Sequence, residues 1–222
     1  QNFNFTYVPV DISQNVLNVL QENLNDLKGL KIIPKCGDYF DLLVELKEND
    51  GQKLVLFLGS NLGNMNDEVA ARFITRIAAH LKLHDRLVLG LDLKKDASVV
   101  LPAYNDASGV TKEFNLNLLH RINREMGANF NLSKFRHVPE YWKEGKAVSF
   151  LESMEDQEVY LGEIETMIYF KKGEKIITEI SRKYDKELLK TLIAKTDLKL
   201  QKEFSDNNNL FSDFVLGAEV QR

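Results

Sequence analysis

The sequence predicts an α/β protein built on a mostly parallel sheet, and three observations lead to this fold class. Strand-like apolar runs alternate with helix-like amphipathic stretches up to residue 93, which is the order of βαβ units with right-handed crossovers. Residues 54–58 are five consecutive apolar residues, a pattern typical of a strand buried on both faces of a parallel sheet. Gly59 and Gly63 follow in a loop that leads into an amphipathic helix, and open α/β sheets bind ligands at such loops.

The elements of this sheet follow one another in the first part of the chain. Strands are predicted at residues 6–11, 30–34, 54–58 and 86–93. Ser13 is a suitable N-cap for the first helix, in which apolar residues recur at helical spacing as far as Leu27. Two further helices are predicted at residues 41–47 and 67–83.

From about residue 94 the pattern changes to that of an α+β insertion. Residues 102–106 are rich in turn formers, and residues 109–126 have the apolar spacing of a long helix. Short strands joined by close turns should be antiparallel. They are predicted at residues 135–142, 147–154, 157–169 and 175–181.

The last part of the chain is expected to return to the sheet. A helix is predicted at residues 185–195, and residues 198–204 and 211–220 have the composition of a hairpin. The chain is therefore divided into a sheet domain, residues 1–94 and 185–222, and an insertion, residues 95–184.

Composition and charge exclude several classes of function. The net charge of -4 gives no electrostatic reason to expect a nucleic acid partner. No apolar run is long enough to span a membrane, so no membrane partner is expected. The single cysteine, Cys36, fits a reducing cytoplasm and is interpreted as a buried small residue. The four histidines lack partners at metal-ligand spacing, so no metal site is predicted. Separately, the protein is expected to be a monomer.

Acidic residues at consecutive strand ends predict a cofactor of the adenosine type. Asp11 follows the first strand, where an acid can accept hydrogen bonds from ribose hydroxyls. Asp38 follows the second strand beside Tyr39, so its carboxylate could accept from the adenine amine while the ring covers the base. Taken singly, such an acid is more often a helix cap, but with Gly59 the two acids line one edge of the sheet.

Eight segments together resemble one protein family. They are YVPVDIS (7–13), FLGSNLGN (57–64), GLDLKKD (90–96), AYND (103–106), GVT (109–111), FNLNLL (114–119), RINRE (121–125) and TEISRKY (178–184). The chain resembles the histidine-specific N-alpha-methyltransferases, which use S-adenosylmethionine to methylate histidine in ergothioneine biosynthesis. The resemblance implies a class I (Rossmann-like) methyltransferase sheet with helices on both faces, plus an inserted α+β domain that covers an amino acid substrate.

The resemblance also implies how the cofactor S-adenosylmethionine is held. Asp11 would bind the ribose, and Asp38 with Tyr39 would bind the adenine. Gly59 and Ser60 belong to the loop whose backbone would approach the sulfonium part of the cofactor. The loop is not assigned to a phosphate, because no lysine follows its second glycine and its surroundings are not basic.

On the substrate side, the resemblance implies contacts at both ends of the amino acid. Asn64 and Tyr104 would hold the amino acid end, while Glu179 and Ser181 would hydrogen-bond the imidazole. Ser149 stands where histidine enzymes usually carry methionine, so the pocket is larger and an indole-bearing amino acid is an alternative substrate. No residue is assigned as a catalytic acid or base.

The family's glycine-rich loop after its first strand has no counterpart in this sequence. We therefore expect an N-terminally truncated fragment that binds cofactor weakly and is inactive by itself. Two other functions remain open at this stage. One is a non-catalytic binding protein on a degenerate methyltransferase scaffold, and the other is a nicotinamide-dependent oxidoreductase, which the lack of a G-x-G-x-x-G motif disfavours.

Overall fold

The structure is a computed structural model and describes residues 5–42 and 51–218. The strands are β1 (Phe5–Tyr7), β2 (Val10–Asp11), β3 (Leu30–Ile32), β4 (Lys35–Cys36), β5 (Leu54–Phe57), β6 (Arg86–Asp92), β7 (Phe135–Trp142), β8 (Lys146–Ser153), β9 (Gln157–Leu161), β10 (Thr166–Phe170), β11 (Lys175–Arg182), β12 (Leu198–Ser205) and β13 (Phe211–Ala218). The helices are α1 (Gln14–Leu24), α2 (Tyr39–Leu42), α3 (Asp67–Ala78), α4 (Ala97–Tyr104), α5 (Val110–Met126) and α6 (Lys186–Ile193), with 3-10 turns at Asn61–Asn64 and Leu132–Lys134.

The central sheet has four strands in the order β12-β13-β6-β5. β5 and β6 are parallel, with Leu54 opposite Arg86. β13 is antiparallel to both β6 and β12, so the terminal hairpin returns to the sheet as the sequence predicts. The α/β fold class is therefore confirmed.

A separate parallel ladder is formed by the first strands of the chain. β1 pairs with β3, and β2 pairs with β4. The ladder continues past the prolines, because the Ile33 N–H donates to the Tyr7 carbonyl at 2.9 Å and the Lys35 N–H donates to the Pro9 carbonyl at 2.9 Å. Proline carries no N–H, so each strand is interrupted at its proline while the neighbouring hydrogen bonds persist.

The core of the sheet lies under α3 and α6. Leu87, Leu89 and Leu91 of β6 are fully buried on the face that these helices cover. The N-cap of α3 is Asn66, whose side chain accepts a hydrogen bond from the Val69 N–H.

The third helix is shorter than the predicted residues 67–83. α3 ends at Ala78, and the chain turns before β6. Asp85 holds this turn because its buried carboxylate accepts from the Lys82 N–H at 2.8 Å and from the Lys53 N–H at 2.7 Å. The apolar spacing continues to Leu81 and therefore extends beyond the helix.

The burial of β5 differs from the prediction. Val55 and Phe57 pack against the core, but Leu54 and Leu56 are 62% and 53% exposed. Within the described ranges, β5 pairs only with β6. An apolar run without alternation shows that both faces of a strand are apolar, and it does not show that both are covered.

Residues 95–184, the predicted insertion, contain an antiparallel sheet in the order β11-β8-β7 and a β9-β10 hairpin. A second hydrophobic cluster joins them to α5. The single strand predicted at residues 157–169 is wrong, because the chain reverses between β9 and β10. Gly162 packs against the Gly127 backbone there, and Glu165 has a left-handed φ of 47°.

Three smaller features differ from the sequence prediction or lie partly outside the described residues. Residues 102–106 are not all turn, because α4 includes Pro102 and ends at Tyr104. Cys36 is exposed rather than buried, since it lies on the two-stranded ladder outside the central core. Parts of the helix predicted at 41–47 and of the strand predicted at 211–220 lie outside the described residues.

One hydrophobic cluster draws on the predicted sheet domain and the other on the predicted insertion, except that Tyr184 of the insertion belongs to the cluster of the sheet. We keep the division into residues 1–94 with 185–222 and residues 95–184 as a proposal. Across residues 5–42 and 51–218, the helices are too short or too polar to cross a bilayer.

Candidate functional site

The loop after β5 is fixed against the carboxyl end of β6. Gly59 and Ser60 both have left-handed backbone angles, with φ of 70° and 57°, so the chain turns sharply after the strand. The Ser60 N–H donates to the Gly90 carbonyl oxygen at 3.0 Å, and the Ser60 hydroxyl oxygen accepts from the Asp92 N–H at 3.1 Å. The left-handed conformation costs a residue with a Cβ about 1 kcal/mol, and these hydrogen bonds offset that cost.

The last strand of the insertion lies across this loop. A Cβ on Gly63 would stand 2.7 Å from the Arg182 carbonyl oxygen, so only glycine lets the two backbones approach this closely. The Tyr184 hydroxyl donates to the Leu62 carbonyl oxygen at 3.1 Å, and the Tyr184 side chain is 1% exposed. Arg182 and Tyr184 therefore hold the loop in place in addition to β6.

The end of β11 also meets the end of β6 directly. The Tyr184 N–H donates to the Asp92 carbonyl at 2.8 Å, and the Lys94 N–H donates to the Tyr184 carbonyl at 2.7 Å. Side chains that follow β6 and side chains at the end of β11 are thereby brought to one place.

A buried ammonium group lies at this junction. The Lys183 side chain is 4% exposed, and its Nζ lies 2.6 Å from Asp92 Oδ2. The same nitrogen donates to the Tyr104 hydroxyl at 2.8 Å and to the Ser181 hydroxyl at 3.0 Å. Lys95 forms a second ion pair with Asp92. Lys183 thus connects two predicted substrate residues, Tyr104 and Ser181.

The charge of Lys183 is preserved despite its burial. Burial acts to lower the pKa of Lys183, but the hydrogen bonds to Asp92 and Tyr104 and the negative charge of Asp92 outweigh it. The pKa of the ammonium is therefore raised above its ordinary value, and Lys183 stays protonated at neutral pH.

Glu179, Ser181 and Ser149 lie on one face of the insertion sheet. Glu179 and Ser181 are two residues apart on β11, and Glu179 pairs directly with Ser149 of β8. In the described part of the chain, the half-buried Glu179 carboxylate has no hydrogen bond or ion pair. The Ser149 hydroxyl is fully buried and also has no hydrogen-bond partner. Unpaired buried polar groups such as the Ser149 hydroxyl are uncommon in folded proteins, so this face is a candidate for ligand contact.

Asn64 and Tyr104 approach the same junction from separate elements. Asn64 is exposed and is the last residue of the 3-10 turn after β5. Tyr104 is half-buried, and it is the last residue of α4. Besides its hydrogen bond from Lys183, the Tyr104 ring has that ammonium 5.1 Å from its centre.

The two acids at the strand ends each have one oxygen engaged locally. Asp11 Oδ1 accepts from the Ser13 N–H at 2.8 Å, and Asp38 Oδ1 accepts from the Phe40 N–H at 2.7 Å. The Gly37 N–H donates to the Asp11 carbonyl at 3.0 Å, which brings the two strand ends side by side. Each carboxylate retains a second oxygen that could accept from a ligand.

Tyr39 links these acids to the central sheet. Its ring centre lies 5.8 Å from that of Phe57 on β5 and 5.1 Å from that of Phe73 on α3. The ring remains 36% exposed. Burial, followed by the nearby charge of Asp38, raises the pKa of Tyr39.

The structure places the predicted site residues in two groups. One group surrounds the junction of β6 and β11 and contains Ser60, Asn64, Tyr104, Ser149, Glu179 and Ser181, with Gly59 beside it. The other contains Asp11, Asp38 and Tyr39, and it reaches the first group through the contact of Tyr39 with Phe57.

Lys183 and Asp92 are functional candidates that sequence reasoning did not single out. Both lie within segments that carry the family resemblance, yet they are 91 positions apart, and no periodicity relates them. Within residues 5–42 and 51–218, no three His, Cys, Asp or Glu side chains are grouped as a metal ion would require.

Known proteins resemble this chain both in fold and in sequence. A solved S-adenosylmethionine-dependent methyltransferase from Clostridium acetobutylicum matches with a TM-score of 0.50 and 11% identity, over 96% of this chain and 75% of that chain. The fold is thus that of the S-adenosylmethionine-dependent methyltransferases. The chain belongs to the family of S-adenosylmethionine-dependent, histidine-specific methyltransferases, whose model matches residues 1–218.

Curated relatives agree with this family. The histidine N-alpha-methyltransferase of Mycobacterium tuberculosis is 36% identical over 180 residues, which are 80% of this chain and 56% of that protein. The enzyme of the same name from Mycolicibacterium smegmatis is 32% identical over 217 residues, which are 97% of this chain and 66% of that protein. The chain therefore spans less than two thirds of the length of each of these relatives. The resemblance found in the sequence is confirmed at the level of the family.

Proposed function

We propose that the protein to which this chain belongs transfers methyl groups from S-adenosylmethionine to the α-amino group of histidine. Family membership supports methyl transfer, and two bacterial relatives carry the name histidine N-alpha-methyltransferase. The observation that carries the choice of substrate is the unpaired Glu179 carboxylate beside the Ser181 hydroxyl. A hydrogen-bond acceptor and a hydroxyl on one strand face suit a ring with two nitrogens.

The residues at the strand ends fit the cofactor. Asp11 retains a carboxylate oxygen for the ribose hydroxyls, and Asp38 retains one for the adenine amine beside the exposed part of Tyr39. Gly59 leaves its backbone open, since a Cβ there would meet only the Asn61 side chain at 3.8 Å. S-adenosylmethionine supplies an activated methyl group, so the protein has mainly to position the amine and leave it unprotonated.

The proposed substrate-binding residues would contact the two ends of histidine. Asn64 and Tyr104 would bind the amino and carboxylate groups, and Glu179 and Ser181 would bind the imidazole. All four surround the junction at which β11 meets the loop after β5. The amine would therefore lie next to the loop that approaches the cofactor.

A second candidate substrate is an indole-bearing amino acid, which the small side chain of Ser149, paired with Glu179, would favour over the bulkier methionine usual at this position. An indole has one ring N–H for Glu179 but no acceptor nitrogen for Ser181. A buried polar group left without its partner costs about 1–3 kcal/mol, and this cost favours histidine. The expected monomeric state, the cytoplasmic location and the absence of a nucleic acid partner stay predictions.

The proposal is tested with the full-length protein. Incubation with S-adenosylmethionine and histidine should give methylated histidine by mass spectrometry. Glu179→Gln should raise KM for histidine about tenfold or more, because a charged acceptor is lost. Glu158→Gln is the matched control, since Glu158 is exposed on β9. Absence of methylated product from histidine would contradict the proposal. Product from tryptophan instead would favour the indole-bearing substrate, and no product from any aromatic amino acid would favour a non-catalytic binding protein.

A further inference from the structure

The three hydrogen bonds of Lys183 account for all of its protons. An ammonium group has three N–H donors and no acceptor. The three acceptors of Lys183 are Asp92 Oδ2, the Tyr104 hydroxyl and the Ser181 hydroxyl. Lys183 itself is therefore fully satisfied, and with a side chain that is 4% exposed it has no reason to contact a ligand directly.

The two hydroxyl groups are only half satisfied. Each accepts a hydrogen bond from Lys183, and each still has its own proton to donate. In the described ranges, neither the Tyr104 hydroxyl nor the Ser181 hydroxyl has a second hydrogen-bond partner. Ser181 is 7% exposed, so its hydroxyl proton has little access to water. A ligand atom that accepts a hydrogen bond would satisfy this proton.

We propose that Lys183 is a positioning residue that orients Ser181 and Tyr104 as hydrogen-bond donors toward the substrate. This inference rests on the proposed function. It assigns the substrate an acceptor at each position, a carboxylate oxygen at Tyr104 and an unprotonated ring nitrogen at Ser181. Glu179 on the same strand face then accepts from the ring's other nitrogen, which carries the proton.

The arrangement selects one form of the ring. A ring N–H directed at Ser181 could reach the second lone pair of the hydroxyl oxygen, but it would leave the hydroxyl proton without an acceptor. The positive charge of Lys183 opposes a second positive charge beside it. The substrate class is therefore an amino acid whose aromatic ring has one N–H and one acceptor nitrogen, and rings with an N–H alone are disfavoured.

Two analogues of histidine test this selection. In 2-pyrrolylalanine the single ring N–H stands in place of the imidazole Nδ1, and in 3-pyrrolylalanine it stands in place of Nε2. Neither analogue has an acceptor nitrogen in its ring. With the wild-type full-length protein, kcat/KM should be at least about tenfold higher for histidine than for the better pyrrolyl substrate. In Lys183→Met, kcat/KM for histidine should fall about tenfold, and its advantage over the pyrrolyl substrate should shrink by at least about threefold.

Lys95→Met is the matched control. Lys95 also forms an ion pair with Asp92, but its other hydrogen bond goes to the Leu210 carbonyl and not to either hydroxyl. This variant should keep the wild-type preference between histidine and the pyrrolyl substrates. Ser181→Ala combined with Lys183→Met should have the same preference as Ser181→Ala alone, because Lys183 acts on the ring through Ser181.

Several outcomes would overturn the inference. A Lys183→Met variant that loses activity equally toward all three substrates would show a structural role only, and unchanged kinetics would show no role. If Lys183→Met does not fold, Asp92→Asn combined with Lys183→Met removes both charges of the pair, and the same comparison applies. A wild-type protein that methylates none of the substrates contradicts the proposed function. An active wild type whose preference for histidine is unchanged in Lys183→Met contradicts only the role of Lys183.

Discussion

Gly63 lies directly against the backbone of Arg182, with space for no side chain between them. A Cβ at position 63 would stand 2.7 Å from the Arg182 carbonyl oxygen and 3.4 Å from its nitrogen. Gly63 belongs to the loop after β5, and Arg182 ends the last strand of the insertion. This contact sets how closely the proposed cofactor loop and the proposed substrate strand approach.

We expect Gly63→Ala to disturb both stability and activity. The added methyl group must displace backbone rather than a flexible side chain, so β11 would move away from the loop. A loss of about 1–3 kcal/mol in the free energy of unfolding is the expected result, with a lower kcat. Urea denaturation and the methylation assay measure the two effects.

Gly173→Ala serves as the control for that substitution. A Cβ at Gly173 would meet nothing within 4 Å, but the φ of Gly173 is +87°. It should lose about 1 kcal/mol from backbone strain alone and keep full activity. If Gly63→Ala were as active as Gly173→Ala, the close approach would have no functional importance.

Tyr184→Phe tests the second contact between the insertion and the loop. The change removes the hydrogen bond to the Leu62 carbonyl and leaves that buried oxygen unpaired, which should cost about 1–3 kcal/mol. Burial raises the pKa of Tyr184 well above its ordinary value, so this contribution should be constant across neutral pH. Thermal unfolding at several pH values measures it.

Tyr169→Phe is the matched comparison, because Tyr169 is 65% exposed on β10. Its free energy of unfolding should stay within about 0.5 kcal/mol of wild type. Equal losses for the two tyrosines would contradict the assigned contact between Tyr184 and Leu62.

The fold was predictable wherever local pattern determines structure. The alternation of elements predicts the parallel pairing of β5 with β6, and the composition of the last residues predicts the terminal hairpin. The reversal between β9 and β10 was missed because apolar residues stand on both sides of a short turn, which is closed by the hydrogen bond from the Glu165 N–H to the Gly162 carbonyl at 3.2 Å. The predicted burial of both faces of β5 is wrong, because apolar composition does not reveal which faces of a strand neighbouring elements cover.

The candidate site was predictable mainly through family resemblance. Local pattern alone marked Asp11, Asp38 and Gly59, which stand at strand ends. Lys183 contacts Asp92 of β6 and Tyr104 of α4, which lie 91 and 79 positions before it in the chain. Such contacts arise from the tertiary fold, and hydrophobic periodicity carries no information about them.

Asp85 should make the free energy of unfolding depend on pH. Its burial acts to raise the pKa of its carboxyl, but hydrogen bonds from Lys82 and Lys53 and the charge of Lys53 outweigh this, so the pKa is lowered. A carboxyl whose pKa is lower in the folded protein than in the unfolded chain stabilises the fold when the pH is above its unfolded-state pKa of about 4. This stabilisation is lost as the pH falls through the pKa of the folded state. Urea unfolding between pH 7 and pH 3 should show this loss.

Asp85→Asn should unfold more easily than wild type at neutral pH, by about 1–3 kcal/mol, and the difference should narrow as the pH falls. Asp26→Asn is the control, since Asp26 is exposed. A difference between Asp85→Asn and wild type that is constant down to pH 3 would rule out the ionised carboxylate as the source of the stability.

Ser149→Ala separates a structural role of that hydroxyl from a ligand-binding role. The hydroxyl is fully buried opposite Glu179 and has no hydrogen-bond partner among the described residues, so its removal should leave stability unchanged or raise it by up to about 1 kcal/mol. Ser153→Ala is the contrasting variant, because the equally buried Ser153 hydroxyl donates to the Glu155 carbonyl at 2.8 Å and its loss should destabilise the protein. If Ser149 contacts the substrate ring, KM for histidine should rise several-fold in Ser149→Ala at unchanged stability. A destabilised Ser149→Ala would instead indicate a water or protein partner for the hydroxyl, and it would remove Ser149 from the proposed binding surface.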